Sequence, residues 1–360
     1  MFHKFAVSMN WKNILTETLH IDFPFVQAPM LGVTTPEMVA AISNAGALGS
    51  LPVGGLPPDK TSALIQKTKS LTGKPFAVNV FAKTLPSSIN QDNWQAMQKL
   101  LQKFCGQYEL SYQEKTTEEL QFFSYEEQVE ILIKEKIPVV SFTFGVLSDD
   151  SIAALHKNKV QLIGTATSVE EAQLLSDKGI DIITAQGIEA GGHRGTFLHE
   201  DIPQIGLMAL LPQVVDATDK PVLAAGAIAD GRSIKAAMIL GAKGVQAGSA
   251  FIACKESAAN ATHKETMLHT KDTSTVLTRA YTGRWLRCIK NEFIETVNTS
   301  GVTINEYPVQ GALTGFLRTL YQHKHATEFL PMLAGQNASK SSAMSAAEIL
   351  KDMIGEVFAT

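Results

Sequence analysis

The chain has 360 residues, 45% of them hydrophobic and 18% charged, with a formal net charge of −4. That balance supplies a large core and excludes a disordered chain, and the lack of a clustered Lys/Arg run excludes nucleic acid as a partner. Three cysteines, Cys105, Cys254 and Cys288, show no paired spacing, which argues against a disulfide framework or a zinc site and fits a reducing cytoplasm.

No apolar run approaches the roughly 18 residues of a membrane span. The opening "MFHKFAVSMNWKNILTETLH" lacks the apolar core and cleavage site of a signal peptide, so a cytoplasmic protein without membrane contact is expected. The "HKH" run at His323 to His325 has no carboxylate or cysteine cluster beside it and reads as surface rather than as a metal site.

Eight short apolar segments follow one another: "FPFVQAPM", "ALGSLPV", "PFAVNVF", "IPVVSFTF", "KVQLIGTA", "IDIITAQG", "PVLAAGAI" and "GVQAGSAF". Continuous apolar runs of this length read as strands buried on both faces, as in parallel sheets. Helical patterns lie between them, among them "TPEMVAAISNAG", "SVEEAQLLSDKG", "IGLMALLPQVVDAT" and "DGRSIKAAMILGAKG". Ser168 with Glu171 has capping-box spacing, and Asp230 and Gly241 are placed to cap the two ends of the last helix. The alternation predicts an α/β fold, a (β/α)8 TIM barrel. Residues 85–136 form a long polar and aromatic insertion expected to hold extra helices. The stretch after the eighth strand precedes a closing helix in "SSAMSAAEILKDMIGEVF". The expected division is a barrel of residues 1–252 plus 339–360, with a smaller substrate or lid domain at 253–338.

In such a barrel every strand ends on one face, and Asn79, Thr143, Gln186, His193, Gly226 and Gln246 all fall at or just past those ends. The glycines of "AAGAIADG" and "QAGSAF", Gly226 and Gly248, with the hydroxyl of Ser249, point to a phosphate site after the seventh and eighth strands; the plainer reading is two tight turns. Three amides around one mouth, Asn79, Gln186 and Gln246, need hydrogen-bond partners and suit a flavin ring and its phosphoribityl tail; three separately satisfied core amides are the alternative. Met30, at the end of "QAPM", suits packing on a flat ring and equally suits a core methionine. His193 follows Gly191-Gly192 on a loop whose backbone can approach a ligand, and its ordinary pKa suits proton transfer near neutrality. Arg194 beside it reads either as a holder of an anionic substrate or as a loop anchor pairing with Glu189.

The blocks "QAPMLGVTTPEMVAAISNAGALGSLPVGGL", "KPFAVNVF", "VVSFTFG", "AQGIEAGGHRGTF", "AAGAIADGRSIKAAMILGAKGVQAGSAF" and "YPVQGALTGFLR" resemble nitronate monooxygenases, formerly called 2-nitropropane dioxygenases, and within them the bacterial class I branch. The resemblance runs from Phe23 to the C-terminus and is weakest over residues 85–124. It implies an FMN-binding TIM barrel with a smaller substrate domain. It carries flavin binding onto Asn79, Gln186, Gly191, Gly226, Gln246, Ala247, Gly248 and Ser249, with Met30 and Gly192 beside them. It carries the catalytic base onto His193 and a place near the substrate onto Tyr307. The chain departs from the family at Thr143, where many members have histidine, at Gly226-Ala227 in place of Gly-Gly, and at Ala247, where bulkier residues are usual.

The implied reaction takes an alkyl nitronate, propionate 3-nitronate by class, and O2 to a carbonyl compound and nitrite, as a detoxification by a monomer or homodimer. Electrons come from substrate, and no strand-borne GxGxxG marks a nicotinamide site. Two rivals remain in view. An FMN-dependent enoyl-acyl-carrier-protein reductase using NAD(P)H has a similar barrel, against which the "SFTFG" and "YPVQGALT" blocks weigh. A phosphate-binding barrel without catalysis is motivated by Thr143 alone.

Overall fold

The computed structural model describes residues 11–359; the first ten residues of the opening segment read above, and Thr360, lie outside the described residues. In chain order the elements of the first half are α1 (Ile14–Leu19), β1 (Phe25–Gln27), α2 (Pro36–Asn44), β2 (Gly49–Pro52), α3 (Pro58–Leu71), β3 (Phe76–Phe81), α4 (Gln91–Gln107), α5 (Glu126–Lys134), β4 (Val139–Thr143), α6 (Asp149–Lys157), β5 (Gln161–Ala166), α7 (Val169–Asp177) and β6 (Ile182–Gln186). Then come β7 (Gly192–His193), α8 (Leu207–Ala217), β8 (Val222–Ala225), α9 (Gly231–Ile239), β9 (Gly244–Ala247), α10 (Ala261–His269), β10 (Thr275–Thr278), β11 (Leu286–Ile289), α11 (Glu292–Thr299), α12 (Val309–Thr314) and α13 (Ala346–Ala359). Each of the eight predicted strand segments contains one strand of the large sheet.

That sheet is parallel throughout, in the order β1-β9-β8-β6-β5-β4-β3-β2. Its two edges meet: Val26 bridges Leu48, and the Gln27 N–H donates to the Leu48 carbonyl at 2.9 Å. The eight strands thus form a TIM barrel. Its N-terminal end is plugged from below. Asn13 caps α1, accepting from the Leu15 and Thr16 N–H groups at 2.9 and 3.2 Å. The capped helix sets Leu15 and Leu19 against Val26, Ala77, Val139, Ile182 and Leu223, near the strand starts. With that end sealed by apolar side chains, only the C-terminal rim is left for a site.

The caps read from the sequence are formed, one of them with a shift. Asp230 accepts the Ser233 N–H at 3.0 Å, and Gly241 ends the helix at φ 102°. Ser168 accepts the Glu171 N–H at 3.2 Å, yet the Glu171 carboxylate returns to the N–H and hydroxyl of Thr167 instead of to Ser168.

The long insertion divides. Helix α5 packs between α3 and α6 as an ordinary barrel helix. Helix α4 leaves the barrel: Trp94, Met97 and Phe104 join Met267, Tyr281, Phe293, Leu313 and Phe329 in a second apolar core. The sequence boundaries had not included α4 in that unit. Helix α13 returns to the barrel, where Glu356 accepts the Gly231 N–H at 2.8 Å. The two cores share a seam. β7 pairs antiparallel with β11, His193 opposite Leu286 and Gly192 opposite Arg287, as the outer strand of the sheet β10-β11-β7. Among the described residues no helix is long and apolar enough to cross a membrane.

Candidate active site

A cavity of about 510 Å³ lies over the C-terminal ends of the barrel strands. All thirteen residues singled out by sequence border it: Met30, Asn79, Thr143, Gln186, Gly191, Gly192, His193, Gly226, Gln246, Ala247, Gly248, Ser249 and Tyr307.

One part of the lining is bare backbone. Gly226 turns at φ 112°, and Ala227 follows at φ 56°, a left-handed conformation that L side chains adopt only at a cost. The N–H groups of Gly226, Ala227, Gly248 and Ser249 have no acceptor among the described residues. Four unpaired N–H groups after adjacent strands form a nest for an anion. Gly191 is where two backbones touch: a Cβ there would lie 2.4 Å from the Gly335 nitrogen. The Gly335 N–H in turn donates to Ser249 Oγ at 2.9 Å. The loop carrying Gly335 and Asn337, whose Nδ2 donates to the Ala227 carbonyl at 3.2 Å, completes this wall.

The three amides fare differently. Asn79 Nδ2 donates to Ser141 Oγ at 3.0 Å, and its Oδ1 has no protein donor among the described residues. The Gln246 side chain likewise has no hydrogen-bond partner among the described residues while bordering the cavity. Gln186 is engaged with the histidine loop. Its Nε2 donates to the His193 carbonyl at 3.0 Å, and its Oε1 accepts the Gly195 N–H at 2.8 Å.

His193 Nε2 lies 2.9 Å from Thr282 Oγ1. The Thr282 hydroxyl also lies 3.3 Å from the Arg284 carbonyl; when it donates there, the imidazole donates from Nε2 and Nδ1 is the basic nitrogen. Burial, reinforced by Arg284 and Arg318, lowers the His193 pKa from 6.5 to about 3. The ring is neutral throughout the physiological range. Around it stands an aromatic wall. Phe144 packs 4.7 Å from Phe81, 5.6 Å from Tyr307 and 5.3 Å from His193 between ring centroids. Phe144 itself is at φ 78°, a strained conformation for a bulky residue, and the Arg284 guanidinium covers its ring at 4.2 Å. Tyr307 completes the wall; burial raises its pKa to about 12, against the opposing pull of Arg284 and Arg318, so its hydroxyl keeps its proton.

The loop that carries His193 is clamped from behind. The fully buried Glu171 carboxylate accepts from Thr196 Oγ1 and from the Phe197 and Leu198 N–H groups at 3.0, 2.6 and 3.2 Å. Arg194 settles its two readings: it is buried, donating to the carbonyls of Gln186 and Pro203, and so anchors the loop. It does so through carbonyls, while Glu189 accepts the Leu207 N–H at the start of α8. Gly195 fits because a Cβ there would meet Thr165 at 2.7 Å and Thr143 Oγ1 at 2.9 Å. Sequence reasoning missed Thr282, Lys83, Arg318, Phe144 and the Gly335 loop. The signals were a threonine before "GRW", the "SFTFG" positive-φ residue, and the arginine closing "YPVQGALTGFLR", none distinctive without the fold.

The profile of the nitronate monooxygenase family matches residues 12–356. A probable nitronate monooxygenase of Staphylococcus haemolyticus is 40% identical over 354 residues, covering 97% of this chain and 98% of the relative. Among solved structures, nitroalkane oxidase from Streptomyces ansochromogenes superimposes with a TM-score of 0.85 at 34% identity, covering 95% of this chain and 97% of that one. FabK from Thermotoga maritima gives a TM-score of 0.76 at 26% identity, covering 97% and 96%. A barrel with a neutral histidine at its rim, matched end to end by these relatives, belongs to the nitronate monooxygenase family of oxidoreductases.

Proposed function

We propose that the chain uses FMN and O2 to convert alkyl nitronates, propionate 3-nitronate by class, into a carbonyl compound and nitrite. The observation that carries this reading is one cavity bordered by two unlike sets of groups. On the barrel loops lie four unpaired N–H groups and a glycine floor; around His193 lie an aromatic wall and polar atoms without protein partners.

The residues fit the flavin. The N–H groups of Gly226, Ala227, Gly248 and Ser249 would hold its phosphate, Asn79 Oδ1 and Gln246 would meet polar edges of ring and tail, and Met30 would pack on the ring face. Gln186 would act through the loop it bonds. Once bound, FMN supplies the redox path between substrate and O2. The rest falls to the chain. His193 Nδ1 takes the proton α to the nitro group of a neutral nitroalkane; a nitronate arrives ionised and needs no such step. Phe81, Phe144 and Tyr307 keep water from the reacting carbon. Residues 253–338 together with α4 form the substrate side of the molecule in this reading.

The test is oxygen uptake by the purified, FMN-loaded protein on paired nitronates and nitroalkanes, with wild type and His193→Asn. The expected result is loss of nitroalkane turnover in the variant and retention of much of the nitronate turnover. Equal loss on both substrates removes the carbon-acid role, and a polypeptide that refuses FMN removes the whole reading. The likeness to FabK keeps an enoyl reductase as the second reading, and rapid anaerobic bleaching of the flavin by NADH would favour it.

A further inference from the structure

Phe144 follows β4 directly and holds φ 78°, a conformation that a bulky residue keeps only when its surroundings over-determine it. Its ring touches those of Phe81, Tyr307 and His193. Over the same ring lies the Arg284 guanidinium, 4.2 Å from the centroid. Arg284 is half-buried and does not border the cavity, so it stands behind the aromatic wall.

The guanidinium also donates to the Thr196 carbonyl on the histidine loop. Its Nε is buried without a hydrogen-bond partner among the described residues. A place over a phenyl ring leaves that donor unsatisfied, and attraction of the cation to the ring offsets part of the cost. The neighbours of Arg284 in the chain hold the same loop. Thr282 Oγ1 lies 2.9 Å from His193 Nε2, the Arg194 N–H donates to the Trp285 carbonyl at 2.8 Å, and Leu286 pairs with His193. Gly283, at φ 82°, lets this turn close on the segment that carries Tyr307. A Cβ there would lie 2.3 Å from the Asn305 carbonyl oxygen and 2.7 Å from the Tyr307 nitrogen. One short turn therefore meets the base and both aromatic residues that flank it, and Arg284 is the member that reaches Phe144.

We propose that Arg284 is a positioning residue for His193: by bracing Phe144 and holding Thr196, it sets the imidazole for proton abstraction from neutral nitroalkanes. The proposal rests on reading His193 as the carbon-acid base. Arginine suits the task because its planar head can cover a ring and still donate at its edge.

The test compares oxygen uptake on paired nitroalkanes and nitronates in wild type, Arg284→Met, Arg284→Lys, Phe144→Leu and the double variant. In Arg284→Met the nitroalkane-to-nitronate ratio of kcat/KM is expected to fall about 10-fold. Arg284→Lys keeps a cation without the planar fork; there the ratio falls about threefold, and this variant carries the test alone if Arg284→Met does not fold. In the Phe144→Leu background, loss of Arg284 is expected to change the ratio by less than about twofold, because the two act as a unit. An unchanged ratio in the Arg284 variants, or full additivity with Phe144→Leu, overturns the proposal.

The nitrogen resonances of 15N-histidine-labelled protein read the same relation without turnover, with His193 assigned by its absence in His193→Asn. One fixed tautomer is expected for His193 in wild type, and averaging of its two ring nitrogens in Arg284→Met. A ring unaffected by the substitution overturns the proposal whatever the uptake shows. Averaging in the variant, with no wild-type uptake on either substrate, supports the positioning role and removes the nitronate reading. Uptake with an unchanged ratio removes the positioning role alone.

Discussion

Thr282 Oγ1 holds the Nε2 edge of His193 at 2.9 Å across 89 residues of sequence, tying the histidine of a barrel loop to the chain that follows β10. Thr282→Val keeps the volume and removes the acceptor. The ring then loses the bond that fixes its tautomer, and nitroalkane turnover is expected to fall about 10- to 100-fold, with nitronate turnover less affected. Paired oxygen-uptake assays give the ratio directly.

Acid sensitivity follows from two depressed histidines. Burial takes His193 to about 3 and His263, whose Nε2 lies 3.1 Å from the Leu333 carbonyl, to about 4. Between those values and 6.5 the unfolded chain binds protons that the folded chain refuses. Stability is therefore complete above about pH 6.5 and drains away as the pH falls toward 4. Melting temperatures across that range should drop, and His263→Gln, which retains a donor to Leu333, should flatten the slope. An identical slope in the variant would assign the sensitivity elsewhere.

Ala227 sits at φ 56° where a glycine is free to turn. The left-handed conformation costs about 1–2 kcal/mol, and the added freedom of an unfolded glycine takes back about 0.4–1 kcal/mol. Ala227→Gly is expected to stabilise the protein by up to about 1 kcal/mol, read as a raised denaturant midpoint at unchanged slope.

Gly191→Ala places a methyl 2.4 Å from the Gly335 nitrogen and 2.6 Å from the Ala334 carbonyl carbon, both backbone atoms that no rotamer change can move. The loop bearing Gly335 must retreat. A loss of about 2 kcal/mol or more is expected, together with weaker FMN retention measured by fluorescence of the released flavin.

Glu171→Ala removes the acceptor shared by Thr167, Thr196, Phe197 and Leu198. Buried N–H groups left unpaired cost about 1–3 kcal/mol each, so denaturant unfolding should show a loss of about 3 kcal/mol or more. Limited proteolysis should cut first at the freed loop.

The barrel was legible because its strands are buried on both faces and so read as unbroken apolar runs; β3, "FAVNVF", is the clearest case. The rim residues were legible because strand ends fall on one face of such a barrel, which places Asn79, Gln186 and Gln246 together before any coordinate is known. Thr282 and Arg318 were not, because they reach the cavity from the unit beyond β9, whose position follows from tertiary packing and not from any period in the sequence. Helix α4 misled for the same reason: its apolar face is visible, but nothing in its pattern says that Trp94 and Phe104 pack on Phe293 and its neighbours instead of on the barrel. The strain at Phe144 is likewise a product of its surroundings.

The pairing of β7 with β11 makes the imidazole common property of both cores. Any separation of the two cores would break this pairing and the contact of His193 with Thr282 together. With His193 as the base proposed above, admission of substrate and its deprotonation would both depend on that one strand pairing.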